Sequence, residues 1–267
     1  MACRDAYKMD QEITSKSVDS IVNEQVIFQD HERLLFGVES KSQANDILQN
    51  NLTLLEWVEK NKLSPTFWGR NIVGDNKLTR SEIRYIHQNG CSIAPIYCIS
   101  SEKFTEEQGI STANEIVRIV TSLGFPEGTA VFLELNEDDY ASMEYMYGLS
   151  SEMLAHNFIP AFKANTDAIH SFDREFSRGI QLNEDVFKKC VVWAVAPTIP
   201  EYNNMTTSHF IHPDNWSPYA PSGITRKDIA IWQYGKDCHP IYNDDNRKVT
   251  FNLQLAKDVN SIVDKMY

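Results

Sequence analysis

Ala130–Tyr140 reads AVFLELNEDDY. Successive side chains of an extended chain point to opposite faces, so Val131, Leu133 and Leu135 share one face and Phe132, Glu134 and Asn136 the other. A solvated acidic loop has no use for three alternating aliphatic residues, and an ordinary buried strand would not carry Glu134 and Asn136. A closed barrel satisfies both faces: outward residues meet helices and are apolar, while inward residues near the C-terminal strand ends line a mouth. Glu137, Asp138 and Asp139 then fit the start of the next helix, where acids offset the macrodipole.

The flanking sequence repeats this alternation. LLFGVE at residues 34–39 precedes a helical pattern over 43–60, with Ile47, Leu48, Leu52, Leu55 and Val58 at helical spacing. TFWGRNIV ends near Val73 and leads to Thr79 and Glu82, a capping box, in a helix closed by Asn89-Gly90. SIAPIYC at 92–98 is followed by a helix over 106–123 that Gly124 ends. After the AVFLELN strand the pattern predicts a helix over 140–156, a strand FIPAFKAN at 158–165 and a short helix over 168–176. Residues 190–197, 228–235 and 248–255 read as three further strands without helices between them. Five strand-helix units imply a parallel sheet, and three more strands make eight. The expected fold is therefore α/β, a TIM-like barrel of five β/α units followed by three β-strands. Residues 1–31 form an N-terminal helical extension, and 32–267 the barrel domain.

Composition narrows the function classes. The 267 residues hold 25 Lys plus Arg against 37 Asp plus Glu, a formal charge of −12. Such a surface repels phosphate backbones and anionic bilayers, so neither nucleic acid nor a membrane is an expected partner. The five cysteines (Cys3, Cys91, Cys98, Cys190, Cys238) have no CxxC pair, which fits buried free thiols in a reducing compartment. No signal-peptide core or long apolar run is present, so the chain reads as cytoplasmic as synthesised, with release by another route left open. His209 and His212 have i, i+3 spacing with Asp214 and His239 nearby, but no helical pattern supports them, and no metal is expected. Glycine-rich phosphate loops are absent, and no cofactor is expected. Cys98 at a strand end has no histidine placed beside it to make it a nucleophile.

Alternation brings Leu35, Gly37 and Glu39 inward on the first strand. Glu39 and Glu134 then approach one mouth from nonadjacent strands. Paired carboxyls suit glycoside cleavage, one kept protonated and the other ionised. Arg70, at the end of the second strand, is a candidate to hold one of them ionised. The segment 198–225 is unusually long and carries Trp216 and Tyr219, flat faces for a sugar or anchors for the loop.

Several stretches resemble a known family. Residues 78–98, LTRSEIRYIHQNGCSIAPIYC, and 109–136, GISTANEIVRIVTSLGFPEGTAVFLELN, are similar to the bacterial glycoside-hydrolase-like domain of unknown function, related in fold to the Chalaropsis-type muramidases of glycoside hydrolase family 25. Gly37-Val38-Glu39, Gly69-Arg70, Pro95 to Tyr97, Leu123 to Pro126 and Trp232-Gln233-Tyr234 carry the resemblance in order. It implies the same barrel and a cell-wall or related polysaccharide, peptidoglycan-like, as partner. Tyr97, Trp232 and Gln233 join Asn136, Arg70, Trp216 and Tyr219 as expected substrate contacts. In the muramidases the fourth strand ends Asp-x-Glu, with Glu as general acid, and the first strand supplies an Asp. Here those places hold Glu134-x-Asn136 and Glu39, and an amide cannot donate a titratable proton. Two functions stay open: a glycosidase using Glu134 and Glu39, or a catalytically inactive module that binds glycan or a protein partner on the same barrel.

Overall fold

The computed structural model describes residues 33–61, 63–99, 102–137, 139–199, 213, 215–239, 249–257 and 262–267. The expected extension over 1–31 lies outside them, as do His209, His212 and Asp214 of the histidine-rich stretch.

Eight strands close a barrel in sequence order: β1 (Leu34–Glu39), β2 (Phe67–Asn71), β3 (Ser92–Cys98), β4 (Ala130–Leu135), β5 (Ile159–Ala164), β6 (Val191–Ile199), β7 (Ile229–Cys238) and β8 (Phe251–Lys257). Strands β1 to β7 pair in parallel, and β8 runs antiparallel to both β7 and β1. The expected barrel of five units and three further strands is therefore the one observed. Because β6 and β7 are parallel, the chain between them must return from one end of the barrel to the other. The length of that connection has a topological cause.

Helices α1 (Leu54–Lys60), α2 (Arg80–Gln88), α3 (Glu106–Leu123), α4 (Met143–Ala155), α5 (Ser171–Leu182) and the short α6 (Glu184–Phe187) lie outside the sheet. The first is far shorter than its apolar spacing predicts. Thr53 and Glu56 form a capping box that starts α1 there, and Asn51 just before it takes a left-handed φ of 61°, which ends any helix entering from upstream. Leu48 is buried from a turn, and Ile47 stands in solvent. Helix α4 also begins late, capped by Ser142 with Glu144 in its first turn. Glu137 and Asp139 thus precede the helix, Asp138 lies outside the described residues, and the acid in the first turn is Glu144. Asp139 instead closes a turn by accepting from the Asn136 backbone N–H and side-chain amide, both at 2.8 Å.

Alternation along the strands divides the core in two. Leu35, Phe67, Ala94, Ile96, Phe132, Ala161, Trp193 and Ile231 fill the barrel, whereas Val38, Trp68, Ile93, Val131 and Leu133 pack outward under the helices. Glycine makes room for the interior rings. A Cβ on Gly37 would fall 2.2 Å from the Phe67 ring, and the Phe132 ring meets Trp193 edge to face with centroids 5.0 Å apart. Ile262 and Met266 join this inner cluster, and Tyr267 pairs its backbone with Ile93, so the C-terminal residues stopper the N-terminal end of the strands. No helix among the described residues is long and apolar enough to cross a membrane.

Candidate functional site

At the opposite end the barrel holds three charged side chains in van der Waals seclusion. Glu39 ends β1, Glu134 stands one residue before the end of β4, and Lys163 lies beside Glu134 in the β4–β5 register. The Lys163 ammonium is 2.7 Å from Glu39 Oε2 and 2.6 Å from Glu134 Oε1. The two carboxylates are therefore no further apart than those two contacts laid end to end. Their residues are only 1% and 7% exposed, and Lys163 2%.

Neighbouring strands complete the shell. Asn252, the register partner of Glu39 on β8, donates its amide to Glu39 Oε2 at 2.7 Å. Cys98, the register partner of Glu134 on β3, donates its thiol to Glu134 Oε2 at 2.8 Å. The Lys163 ammonium also lies 5.3 Å from the Trp193 ring centroid, within cation–π range. Gly69 lets Glu39 fit, since a Cβ there would fall 2.9 Å from Glu39 Cβ.

These contacts decide the protonation states. Burial pushes the Glu134 carboxyl up, but the Lys163 ammonium, the Cys98 thiol and more distant Lys41 together hold it below the ordinary glutamate value. Burial pulls the Lys163 ammonium down, and Glu39 and Glu134 outweigh this and raise it. Burial, with Glu134 second, raises the Cys98 thiol. A general acid needs a raised carboxyl, an amine nucleophile a depressed ammonium, and a reactive cysteine a depressed thiol. Glu134, Lys163 and Cys98 are each shifted in the opposite direction.

Of the residues expected from sequence, Glu39 and Glu134 meet, but Arg70 does not join them. On β2, Phe67 and Gly69 face inward and Arg70 faces the helices, fully buried. Its guanidinium pairs with Glu82 at 2.6 Å and donates to the carbonyls of Ser40 and Asn76, both at 2.7 Å. Every edge of it is used, so it is a bracket between loops and not a substrate contact. Trp232 is likewise enclosed on the outer wall at 1% exposure, its indole donating to the Ala196 carbonyl at 2.9 Å, and it has no free face for a sugar. Trp216 packs edge to face on Trp232, donates to the Arg226 carbonyl and lies under Lys257. It anchors the long connection against β7 and β8, where no helix among the described residues covers the sheet.

Asn136 is exposed just beyond β4, in the turn closed by Asp139. Tyr219 is 52% exposed, and its carbonyl accepts from Thr166, two residues past β5, which brings it to the same end of the barrel. Gln233 is buried and its Oε1 has no partner, as is Nε2 of its β8 register partner Gln254. Tyr97 is half-buried on the outward side of β3, with its hydroxyl donating to Glu115 at 2.9 Å. Among the described residues no group of three or more His, Cys, Asp or Glu side chains is placed to hold a metal.

Lys163 was absent from the sequence-based site, although the signal is there. In FIPAFKAN the alternation that puts Ala161 inside also puts Lys163 inside, one turn of the pleat below the mouth.

The sequence model of the family described as Rv2525c-like, glycoside hydrolase-like domain matches residues 64–250. No curated protein matches the chain. Among solved structures, an uncharacterized B. stearothermophilus protein superposes with a TM-score of 0.68 at 21% identity, covering 87% of this chain and 100% of its own. The Clostridium perfringens spore cortex lytic enzyme SleM gives 0.51 at 11% identity over 84% of this chain and 67% of that one. A family 25 glycosyl hydrolase from Bacillus anthracis gives 0.45 at 12% identity over 86% and 92%. At these identities the likeness is one of fold.

Proposed function

The chain belongs to the Rv2525c-like, glycoside hydrolase-like domain family, and from that premise we propose that it binds a cell-wall or related polysaccharide without cleaving it. The polysaccharide class is supported by the family's description and by the barrel shared with a spore cortex lytic enzyme. The single observation behind the absence of cleavage is Lys163, seated between Glu39 and Glu134.

Carboxyls about 5–5.5 Å apart are the spacing of retaining glycosidases, but that gap must admit the sugar's anomeric carbon. Here an ammonium fills it. A hydrolase also needs one carboxyl protonated near neutral pH, and Glu134 is held below its ordinary value. Asn136 adds a neutral amide where the resemblance expects an acid. With Tyr219 it offers hydrogen bonds and a ring face at the mouth, the composition of a sugar-binding surface.

The test is incubation of the protein with purified peptidoglycan, followed by measurement of both sedimentation and new reducing ends. Saturable co-sedimentation without reducing ends supports the reading. Reducing ends that disappear with Glu134→Gln would overturn it in favour of a glycosidase, and loss of co-sedimentation would overturn the polysaccharide itself.

A further inference from the structure

Helix α3 has two faces of different use. Gly109, Ala113, Ile116 and Val120 are buried, and the first of these rests almost backbone to backbone on α4. A Cβ on Gly109 would fall 2.1 Å from the Tyr145 carbonyl oxygen, and one on Gly148 2.3 Å from that of Glu106. On the side toward the end of β3, Gln108, Ser111, Thr112 and Glu115 recur at i, i+3, i+4 and i+7. An apolar stripe at that spacing would close onto the sheet. This polar one borders a groove of about 400 Å³, whose other wall is Tyr97 and the segment following β3.

The groove's chemistry is specific. The Tyr97 hydroxyl donates to Glu115 Oε2 at 2.9 Å. On α4, behind the groove lining, the Tyr145 hydroxyl is fully buried with no hydrogen bond of normal geometry. Burial pushes that phenol up to about 12, with Thr112 lowering it and Glu115 raising it by smaller amounts. Thr112 itself donates to the Gln108 carbonyl at 2.9 Å, which leaves its oxygen lone pairs open as acceptors. An orphaned buried hydroxyl costs free energy that a ligand hydroxyl or water recovers. Two carboxylates, Glu107 and Glu115, face one ammonium, Lys103, along the lining. The balance is negative and disfavours an anionic sugar.

We propose that this groove is a subsite for a hexosamine unit whose amino group is free. The ammonium meets Glu115, and the ring hydroxyls meet Tyr97, Ser111 and Thr112. This deepens the polysaccharide-binding reading and rests on it.

The experiment is calorimetric titration at pH 6 with a β-1,4-linked glucosamine tetramer and its fully N-acetylated counterpart. The wild type is expected to bind the free amine about two- to fivefold more tightly, the scale of an exposed charge pair. Glu115→Gln, an exposed position, is expected to remove that preference, so that the two oligomers bind equally whatever their common affinity. Equal affinities in the wild type, or an undiminished preference in Glu115→Gln, would overturn the proposal. If neither tetramer binds but the protein still sediments with peptidoglycan, the groove assignment alone fails. If sedimentation is also lost, the polysaccharide reading fails with it.

Discussion

The Lys163 ammonium lies 2.6 Å from Glu134 Oε1, in a barrel interior from which both side chains are almost wholly withdrawn from solvent. A buried ion pair adds little net stability relative to an apolar replacement of the whole group, but removing one partner strands the others.

Lys163→Met should therefore cost about 3–5 kcal/mol at neutral pH, because Glu39 and Glu134 are left facing each other. Two buried like charges raise the pKa of one, which takes up a proton. A folded-state carboxyl raised above its unfolded value favours the fold as pH falls, so the deficit should shrink between pH 7.5 and pH 5. Denaturant titrations at the two pH values check this, and an equal deficit at both would contradict it.

In the wild type the sign is reversed. Glu134 is depressed below 4.5, so its contribution is present above that value and is lost as pH falls through the lower folded pKa. Lys163 is raised above 10.5, so its contribution is complete below that value and is lost only as pH rises through the higher folded pKa. The stability difference between wild type and Glu134→Gln should be level from pH 6 to pH 9 and narrow below about pH 4.5. A slope in the neutral range would show that the carboxyl titrates there.

Gly109→Ala places a methyl against the α4 backbone, which cannot rotate away. Overpacking of this kind costs about 1–3 kcal/mol, or roughly 2–12 °C in melting temperature for a chain of this size. Thermal unfolding of Gly109→Ala beside Ser111→Ala, on the groove side of the same helix, separates packing from propensity. Only the first is expected to fall.

Trp232→Ala and Tyr219→Ala distinguish a core ring from a surface ring. The buried indole should cost about 3–5 kcal/mol of stability. The exposed phenol should stay within about 0.5 kcal/mol and weaken only polysaccharide binding. A stable Trp232→Ala with impaired binding would return that residue to the sugar site.

The strands, their order and the inward direction of Glu39 and Glu134 were legible because alternation in a closed barrel leaves each residue only one face. The same rule, extended to FWGRN and FIPAFKAN, assigns Arg70 to the helices and Lys163 to the interior. Arg70 has the charge and strand-end position of a mouth residue, but its parity turns it to the helices. Apolar spacing predicts a longer α1 because Ile47, Leu48 and Leu52 mimic a helical pattern inside a turn, while the capping box at Thr53 and Glu56 marks the true start. The pairing of Lys163 with both carboxylates depends on strand register, and the groove beside Tyr97 on how closely α3 approaches α4. Neither is set by local pattern.

The most direct test of the central claim is the titration of Glu134 itself, followed by carbon-13 NMR of its side-chain carboxyl, with Glu134→Gln used for assignment. Lys163 seated between two carboxylates predicts a midpoint below the ordinary 4.5 and an ionised group throughout the neutral range. A midpoint near or above about 6, the range of a glycosidase acid, would contradict the account and restore cleavage as the function.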